Sequence, residues 1–422
     1  LQKAEEVISW IHSLLPFGVK PGLKRMEWML ERLDHPENKL TAIHIGGTNG
    51  KGSTLSFVRH ILQEEGLKIG TFTSPYLERF EERISFNGEP ISEEDLVSIA
   101  TEVRPLVEEL AQTALGSPTE FEVITTMMFV YFGTRVKPDI CLIEVGLGGR
   151  LDSTNVLSPI LSIITMIGHD HMHILGSTLK EIAYEKAGII KEQVPVIIGA
   201  IEPEARKVIN DVAVSKQAPL YSLGETFSYS NSTLNSFVYH DHDSVTYQMK
   251  MLGEHQHHNA SLALKAVDLL RTLLGKNISL SSKKSGIHKA LWPGRLEAMQ
   301  ENVLIDGAHN QEGYAALAAA LKDLAGDKTI HLLIASTVEK DMTLLVNAME
   351  NLDVHYYFTT FLFHRAASAE QLYNQADVNE KSIVLNWQKF LSDKIETEQD
   401  LLVITGSLYF ISDVRHYLQK MF

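Results

Sequence analysis

The chain has 422 residues, 44% of them hydrophobic, a formal net charge of −15 and a single cysteine. At roughly 100 to 200 residues per domain this length predicts two or three domains, and the acidic balance argues against non-specific attachment to nucleic acid or to an anionic membrane. Cys141 stands inside the apolar run 139–144, which excludes an internal disulfide, predicts a buried thiol and suits the cytoplasm.

The first apolar stretch, Val7 to Phe17, is short, follows Glu5 and Glu6 and lacks both a basic start and a cleavage site, so it does not read as a leader. The Leu1 start leads us to expect an initiator methionine or short leader ahead of it. No run approaches the 18 or so apolar residues that a membrane span needs. From Thr41 to about Ala200, apolar strands alternate with amphipathic helices, the pattern of a parallel sheet covered by helices. Strands are predicted at 41–46, 68–73, 139–145, 160–166 and 194–198. Tyr221 to Met251 is rich in Ser, Thr, Tyr and Asn with rough alternation, as in Phe237-Val-Tyr-His240, and predicts a small antiparallel appendage. A helix follows over 259–274.

Trp292-Pro-Gly-Arg295 breaks the chain, and a second α/β domain of about 120 residues follows. It alternates strands at 302–306, 329–335, 354–359 and 401–405 with helices at 313–324 and 342–352. The predicted class is α/β. An N-terminal P-loop-type domain over 1–294, with a mostly parallel sheet and the small appendage, precedes a C-terminal Rossmann-like domain over 295–422.

The run Ile43-His-Ile-Gly46-Gly47-Thr48-Asn49-Gly50-Lys51-Gly52-Ser53-Thr54 carries the strongest chemical signal. A short strand enters a glycine loop, then a lysine and two hydroxyls, then a helix with Leu55, Val58, Ile61 and Leu62 on one face. Glycines bring backbone N–H groups against phosphate oxygens, Lys51 supplies a mobile cation, and Ser53 or Thr54 offers magnesium an oxygen. The general nucleotide-binding pattern has four residues between glycine and Gly-Lys; here three separate Gly46 from Gly50, and Gly52 rather than a hydroxyl follows Lys51.

Other candidates lie at strand ends, where an open α/β sheet places its ligand crevice. Glu144 enters the glycine turn Val145-Gly-Leu-Gly-Gly-Arg150-Leu-Asp152, as a metal-binding or structural carboxylate. His169-Asp170-His171-Met-His173 invites a zinc reading, but alternating loop histidines rarely satisfy tetrahedral zinc, and surface histidines with one ligand among them fit better. Lys186 and Lys191 sit near the end of a helix closing at Gly188, where they either complement its dipole or serve the site. Asn259, in the polar run 253–260, either caps a helix or meets a nucleobase. Arg295, Asp306 and His309 place charge at the presumed interdomain cleft.

Taken together these segments resemble folylpolyglutamate synthase, often bifunctional with dihydrofolate synthase, in the Mur-ligase superfamily of ATP-dependent amide ligases. The resemblance covers nearly the whole chain. It rests on the Gly47–Ser53 loop, Thr73-Ser-Pro-Tyr-Leu77 with Glu82-Arg83-Ile84, Glu144 to Asp152, Asp170-His171, Glu185 to Lys191, His255-Gln256 with Asn259-Ala260, Trp292 to Arg295 and Asp306 to Asn310. By that resemblance Gly47, Thr48, Asn49, Gly50, Lys51, Gly52 and Ser53 hold the ATP phosphates, with Ser53 on one Mg2+ ion. Ser74, Glu144 and His171 match the ligands of a second Mg2+. Lys186 matches a lysine carried as a carbamate. Asn259, Arg295 and Asp306 match nucleotide contacts, with His309 beside them. Ser74, Pro75, Tyr76 and Arg83 belong to the loop that shapes the folate site, where the family often has His at the Tyr76 position.

The implied reaction is phosphorylation of the terminal glutamate carboxylate of a reduced folate, then attack by the amine of L-glutamate. Lys51, Lys186, His171 and Arg295 are the expected catalytic residues. Domain closure is expected to bring Asp306 and His309 in and exclude water. Dihydropteroate is an additional acceptor in bifunctional members. The expected molecule is a cytoplasmic monomer with small-molecule partners, no nucleic acid and no membrane. The rival readings are a Mur-type ligase of a UDP-linked peptidoglycan precursor, a non-catalytic nucleotide-binding regulator and, least fitting, a P-loop kinase or GTPase.

Overall fold

The computed structural model describes residues 1–14, 18, 20–397 and 400–421. Residues 15–17 of the first apolar stretch lie outside them; the part before forms a helix over Ala4–His12. Contacts divide the chain into two compact units. The first comprises Leu1–Ser230, Val238–Tyr247 and His258–Lys289, the second Asn231–Phe237, Gln248–His257 and Ala290–Phe422.

Eight strands make the sheet of the first unit: β1 (Ala42–Gly46), β2 (Ile69–Phe72), β3 (Ile84–Phe86), β4 (Glu89–Pro90), β5 (Ile140–Glu144), β6 (Leu161–Ile164), β7 (Val196–Ile198) and β8 (Leu220–Ser222). Their order is β4-β3-β2-β5-β1-β6-β7-β8. Pairing is parallel from β2 through β8, and β3 and β4 close one edge antiparallel. β1, β5 and β6 are buried along their whole length, which is why they read as mostly apolar runs, with His44 and Ser162 buried inside β1 and β6. The chain crosses from β1 to one side and later returns to the other, so the topological switch, and with it the ligand crevice, falls at the carboxyl end of β1.

Helices cover both faces. On one, Phe72, Ile99, Met127, Phe129 and Ile143 share a core with the N-terminal helix residues Val7 and Ile11. On the other, Val145, Ile164, Ile182, Ile198 and Ile209 pack together. Each such burial contributes about 1.5–3 kcal/mol.

Three further strands, β9 (Ser228–Thr233), β10 (Ser236–His240) and β11 (Ser244–Gln248), form their own sheet where the appendage is expected. The helix after it spans Glu254–Leu274, five residues longer at its start than the 259–274 expected. Asn259 therefore lies inside the helix and is not its cap.

The second unit holds a six-stranded sheet of β12 (Glu297–Gln300), β13 (Val303–Ile305), β14 (Ile330–Ile334), β15 (Val354–Phe358), β16 (Lys381–Ile383) and β17 (Leu401–Thr405). The order is β12-β13-β17-β14-β15-β16, parallel except for β12. Tyr314, Leu321, Leu332, Leu345, Phe358 and Val403 centre its core.

Candidate active site

The glycine loop leaves β1 at the crevice. Gly47 has φ +141°, and a Cβ there would lie 1.9 Å from Thr165 Oγ1. Thr165 supports the loop by donating to the carbonyl of Asn49 at 2.6 Å. Thr48 Oγ1 donates to Gly168 O at 3.1 Å and accepts from Gly168 N at 3.0 Å, tying the loop to the segment after β6. Substituting Ala for Gly47 should therefore both strain the backbone and collide with Thr165. The expected cost is about 2 kcal/mol or more in denaturant unfolding, together with a large loss of nucleotide affinity.

The helix Lys51–Glu64 starts at Gly50 (φ +87°) with no side chain capping it, so its first N–H groups face the loop. Ser53 and Thr54 are buried in its first turn, and Thr54 Oγ1 reaches Asn259 Oδ1 at 3.5 Å. A Cβ on Gly50 would come within 2.3 Å of the same Asn259 oxygen, so the structure brings Asn259 against the loop.

Two lysines converge on one carbonyl. Lys51 Nζ donates to Gly47 O and Thr48 O, each at 3.1 Å, and Lys186 Nζ donates to Gly47 O at 3.0 Å. Lys186 is 5% exposed. Burial, reinforced by the neighbouring Lys51 charge and opposed by Asp170 and Asp152, pulls its pKa from 10.5 down to about 7. A helix terminus alone does not explain a lysine so placed.

Glu144, 5% exposed at the end of β5, accepts from Ser74 N at 3.2 Å, which joins two of the expected metal-binding residues. His171 stands in a left-handed conformation (φ +49°), with its half-exposed ring 3.9 Å from Asp170 Oδ2. Among the described residues no three His, Cys, Asp or Glu side chains gather as a metal cage. A single buried carboxylate with serine hydroxyls fits a hard cation that completes its shell with water and phosphate oxygens, the habit of magnesium rather than zinc.

The Ser74 to Arg83 loop is folded around one carboxylate. Glu82 accepts from the N–H groups of Leu77, Glu78 and Arg79 at 3.1, 3.2 and 3.1 Å. Tyr76 packs edge-on against Phe80 at 5.9 Å, and Phe80 likewise meets His12 at 5.6 Å. Pro75 follows Ser74 on this loop. Arg83, at the far end of this loop, is a buried cation. It is 6% exposed, ion-paired with Glu120, and its guanidinium is 5.5 and 5.6 Å from the rings of Phe80 and Phe121. Glu82→Ala should loosen the loop, raising the acceptor KM about tenfold while the ATP KM stays within about twofold, as steady-state kinetics can check.

In the second unit Asp306 directly follows β13, and its carboxylate accepts from Leu296 N and Ala308 N, each at 2.8 Å. Burial raises its pKa, while Arg295 and these N–H groups pull it back. Arg295 donates to Gly307 O at 3.3 Å, and His309 Nδ1 lies 2.8 Å from the same carbonyl. Arg295, Asp306 and His309 thus form one constellation.

Sequence reasoning missed the parts played by Thr165 and Asp152. Asp152 accepts from Leu147 N at 2.8 Å and Thr154 N at 3.0 Å, closing the glycine turn after Glu144. Its place at the end of that motif was the available signal.

Residues 45–267 match the family model of the Mur ligase middle domain, and residues 294–408 that of the Mur ligase glutamate ligase domain. A dihydrofolate synthase/folylpolyglutamate synthase of Bacillus subtilis is 43% identical over 98% of this chain and 99% of its own. The crystal structure of a folylpolyglutamate synthase from Thermotoga maritima superposes with a TM-score of 0.87 at 34% identity, covering 99% of this chain and 97% of that one. A Mycobacterium tuberculosis folylpolyglutamate synthase, solved with ADP and AMPPCP, gives 0.86 at 28% identity over 98% of each chain.

Proposed function

The chain belongs to the folylpolyglutamate synthase/dihydrofolate synthase family of Mur-type ligases, and we propose that it joins L-glutamate to the terminal glutamate carboxylate of a reduced folate at the expense of ATP. Dihydropteroate is the second acceptor under this reading, in keeping with the bifunctional name of the Bacillus subtilis relative. The observation that carries it is the pair Lys51 and Lys186 on the Gly47 carbonyl, beside a buried glutamate at the adjoining strand end.

A carboxylate does not acylate an amine at neutral pH, because oxide is a poor leaving group. Transfer of the γ-phosphoryl group of ATP to the carboxylate oxygen gives an acyl phosphate and ADP. The glutamate amine then adds to the acyl carbon, loses a proton and expels phosphate, leaving an amide. Both steps gather negative charge, which Lys51 and the N–H groups of the Gly47–Ser53 loop are placed to stabilise. AMPPCP, bound by the Mycobacterium tuberculosis relative, is an analogue of ATP and supports ATP as the nucleotide.

Ser53 would hold one Mg2+, and Ser74, Glu144 and His171 a second. When bound, these ions draw charge from the phosphate oxygens. The neutral amine that burial favours at Lys186 is the form that adds to carbon dioxide, with loss of one proton, to give a carbamate beside the Lys51 cation. Asn259, Arg295, Asp306 and His309 are assigned to the nucleotide, Arg295 toward phosphate and Asp306 toward ribose. Pro75 and Tyr76 are assigned to the folate acceptor, and Arg83 supports their loop from below. In domain terms, residues 1–294 supply the ATP-binding part and 295–422 the ligase part. The enzyme is assigned to the cytoplasm as a monomer; among the described residues no helix is long and apolar enough to cross a membrane.

The deciding experiment measures ATP- and magnesium-dependent incorporation of labelled L-glutamate with tetrahydrofolate monoglutamate and, separately, with dihydropteroate. Incorporation into both makes the protein bifunctional, and into the first alone a dedicated chain extender. Incorporation into neither, with ATP still bound, overturns the folate assignment.

A further inference from the structure

His44 lies at the centre of β1 with no solvent exposure, an unusual place for an imidazole. Its Nε2 is 2.8 Å from Thr154 Oγ1, and that hydroxyl donates to Asp152 Oδ1. Burial pushes the Asp152 carboxyl up and its hydrogen bonds pull it back; with that carboxylate taking the single Thr154 hydroxyl proton, Thr154 is left to accept from His44. The ring is therefore the Nε2–H tautomer, with a bare Nδ1 that has no hydrogen-bond partner among the described residues. Burial, aided by the nearby Lys191 charge, depresses the pKa of His44 to about 3 and keeps the ring neutral.

The chain of bonds continues. Asp152 gathers the N–H groups of Leu147 and Thr154. The turn so gathered packs onto the helix end that carries Lys186. A Cβ on Gly149 would lie 2.8 Å from Glu185 O and 2.9 Å from Lys186 O, and Arg150 N donates to Glu185 O at 2.7 Å. Asn155 Nδ2 bridges Arg150 O and Gly188 O, each at 3.0 Å. Lys186 then reaches Gly47 O, three residues beyond His44 on the same strand end, so the contacts close into a ring.

We propose that His44 is a positioning residue for ligation, acting through Thr154 and Asp152 to hold the glycine turn against the Lys186 helix and so set the Lys186 amine on the Gly47 carbonyl. The inference rests on the ligase reading for its catalytic meaning. A leucine at position 44 would fill similar space without a buried polar atom, and replacing both buried partners by apolar groups is often nearly neutral in stability. An unsatisfied Nδ1 has an energetic cost that a purely space-filling role does not require.

The test compares His44→Leu, His44→Gln and Thr154→Val in the full chain, with thermal melts to confirm folding. Glutamine can place an amide N–H where Nε2 donates. His44→Leu should lower kcat about 10- to 50-fold with the ATP KM within about twofold, and His44→Gln should recover to within about threefold of the parent. Thr154→Val should match His44→Leu, and the double variant should be no worse than either single one. Two readouts do not need turnover. Nitrogen-15 NMR of the parent should show the Nε2–H tautomer at His44, and labelling of Lys186 by an amine-selective reagent at fixed pH should change at least threefold in Thr154→Val. An Nδ1–H tautomer, unchanged labelling and kcat in folded variants, or a glutamine variant as impaired as leucine would overturn the proposal. If the parent itself joins glutamate to no acceptor, the ligase reading fails, while the tautomer and labelling arms still decide whether His44 positions Lys186.

Discussion

Replacing Lys51 by alanine is expected to lower ligation and the accompanying ATP turnover about 1,000-fold or more in a protein that remains folded. The ammonium is the one mobile cation in the glycine loop, and removing a preorganised donor to a developing oxyanion typically costs 10²- to 10³-fold by itself. Here the lost group also carries full charge. In the structure Lys51 rests on two loop carbonyls at 3.1 Å, partly exposed, so its removal should change stability by no more than about 1 kcal/mol. Circular dichroism with a thermal melt separates the two effects. A second consequence follows at Lys186, whose amine the Lys51 charge helps to keep neutral. Without Lys51 the Lys186 pKa should move up from about 7, so a larger fraction is protonated at neutral pH. Near-normal turnover in a folded Lys51→Ala protein would remove the glycine loop from the phosphate site.

The parts of the fold that read directly from the sequence are those where both faces of a strand are buried. β1, β5, β6 and β17 are mostly apolar runs because helices cover both sides of their sheets, and each lies within the span that its residues predict. β3, β4, β12 and β16 escaped because they are short, partly exposed and defined by pairing partners rather than by their own composition. The polar run 254–258 hides a helical start for a related reason. Gln256 and His257 are buried there despite their polarity, so no apolar period marks the turn.

The candidate site was legible where neighbouring residues in sequence build it. A glycine loop with its lysine, and a glutamate at the end of a buried strand, announce themselves. Arg83 was not legible, because its depth depends on Glu120, 37 positions further along. The same holds for Thr165 under Gly47, 118 positions away by number, and for the convergence of Lys51 and Lys186 on one carbonyl. Such contacts are set by the switch of strand order at β1, which composition does not encode.

Lys186→Met is expected to give an inactive protein that is more stable than the parent at pH 6. Catalytic loss should exceed about 1,000-fold, since neither an amine nor a carbamate remains beside the loop. Stability should move the other way. The folded pKa of about 7 lies below the value of 10.5 for an ordinary lysine, so between these pH values the native state binds fewer protons than the unfolded chain, and the stability of the parent rises with pH. Below pH 7 both states are protonated, and the parent bears the whole cost of a buried ammonium, roughly 5 kcal/mol from the shift. Methionine bears none of it and fills similar space, while forgoing the bond to Gly47 O, worth about 1 kcal/mol. A net gain of about 1–4 kcal/mol at pH 6, shrinking toward pH 10, is the expected outcome of urea unfolding at pH 6, 8 and 10. A variant less stable than the parent at pH 6, or a difference that does not change with pH, would show that Lys186 is not held as a strained neutral amine. The opposite signs for activity and stability are what a residue kept for reaction chemistry at the expense of fold energy should give.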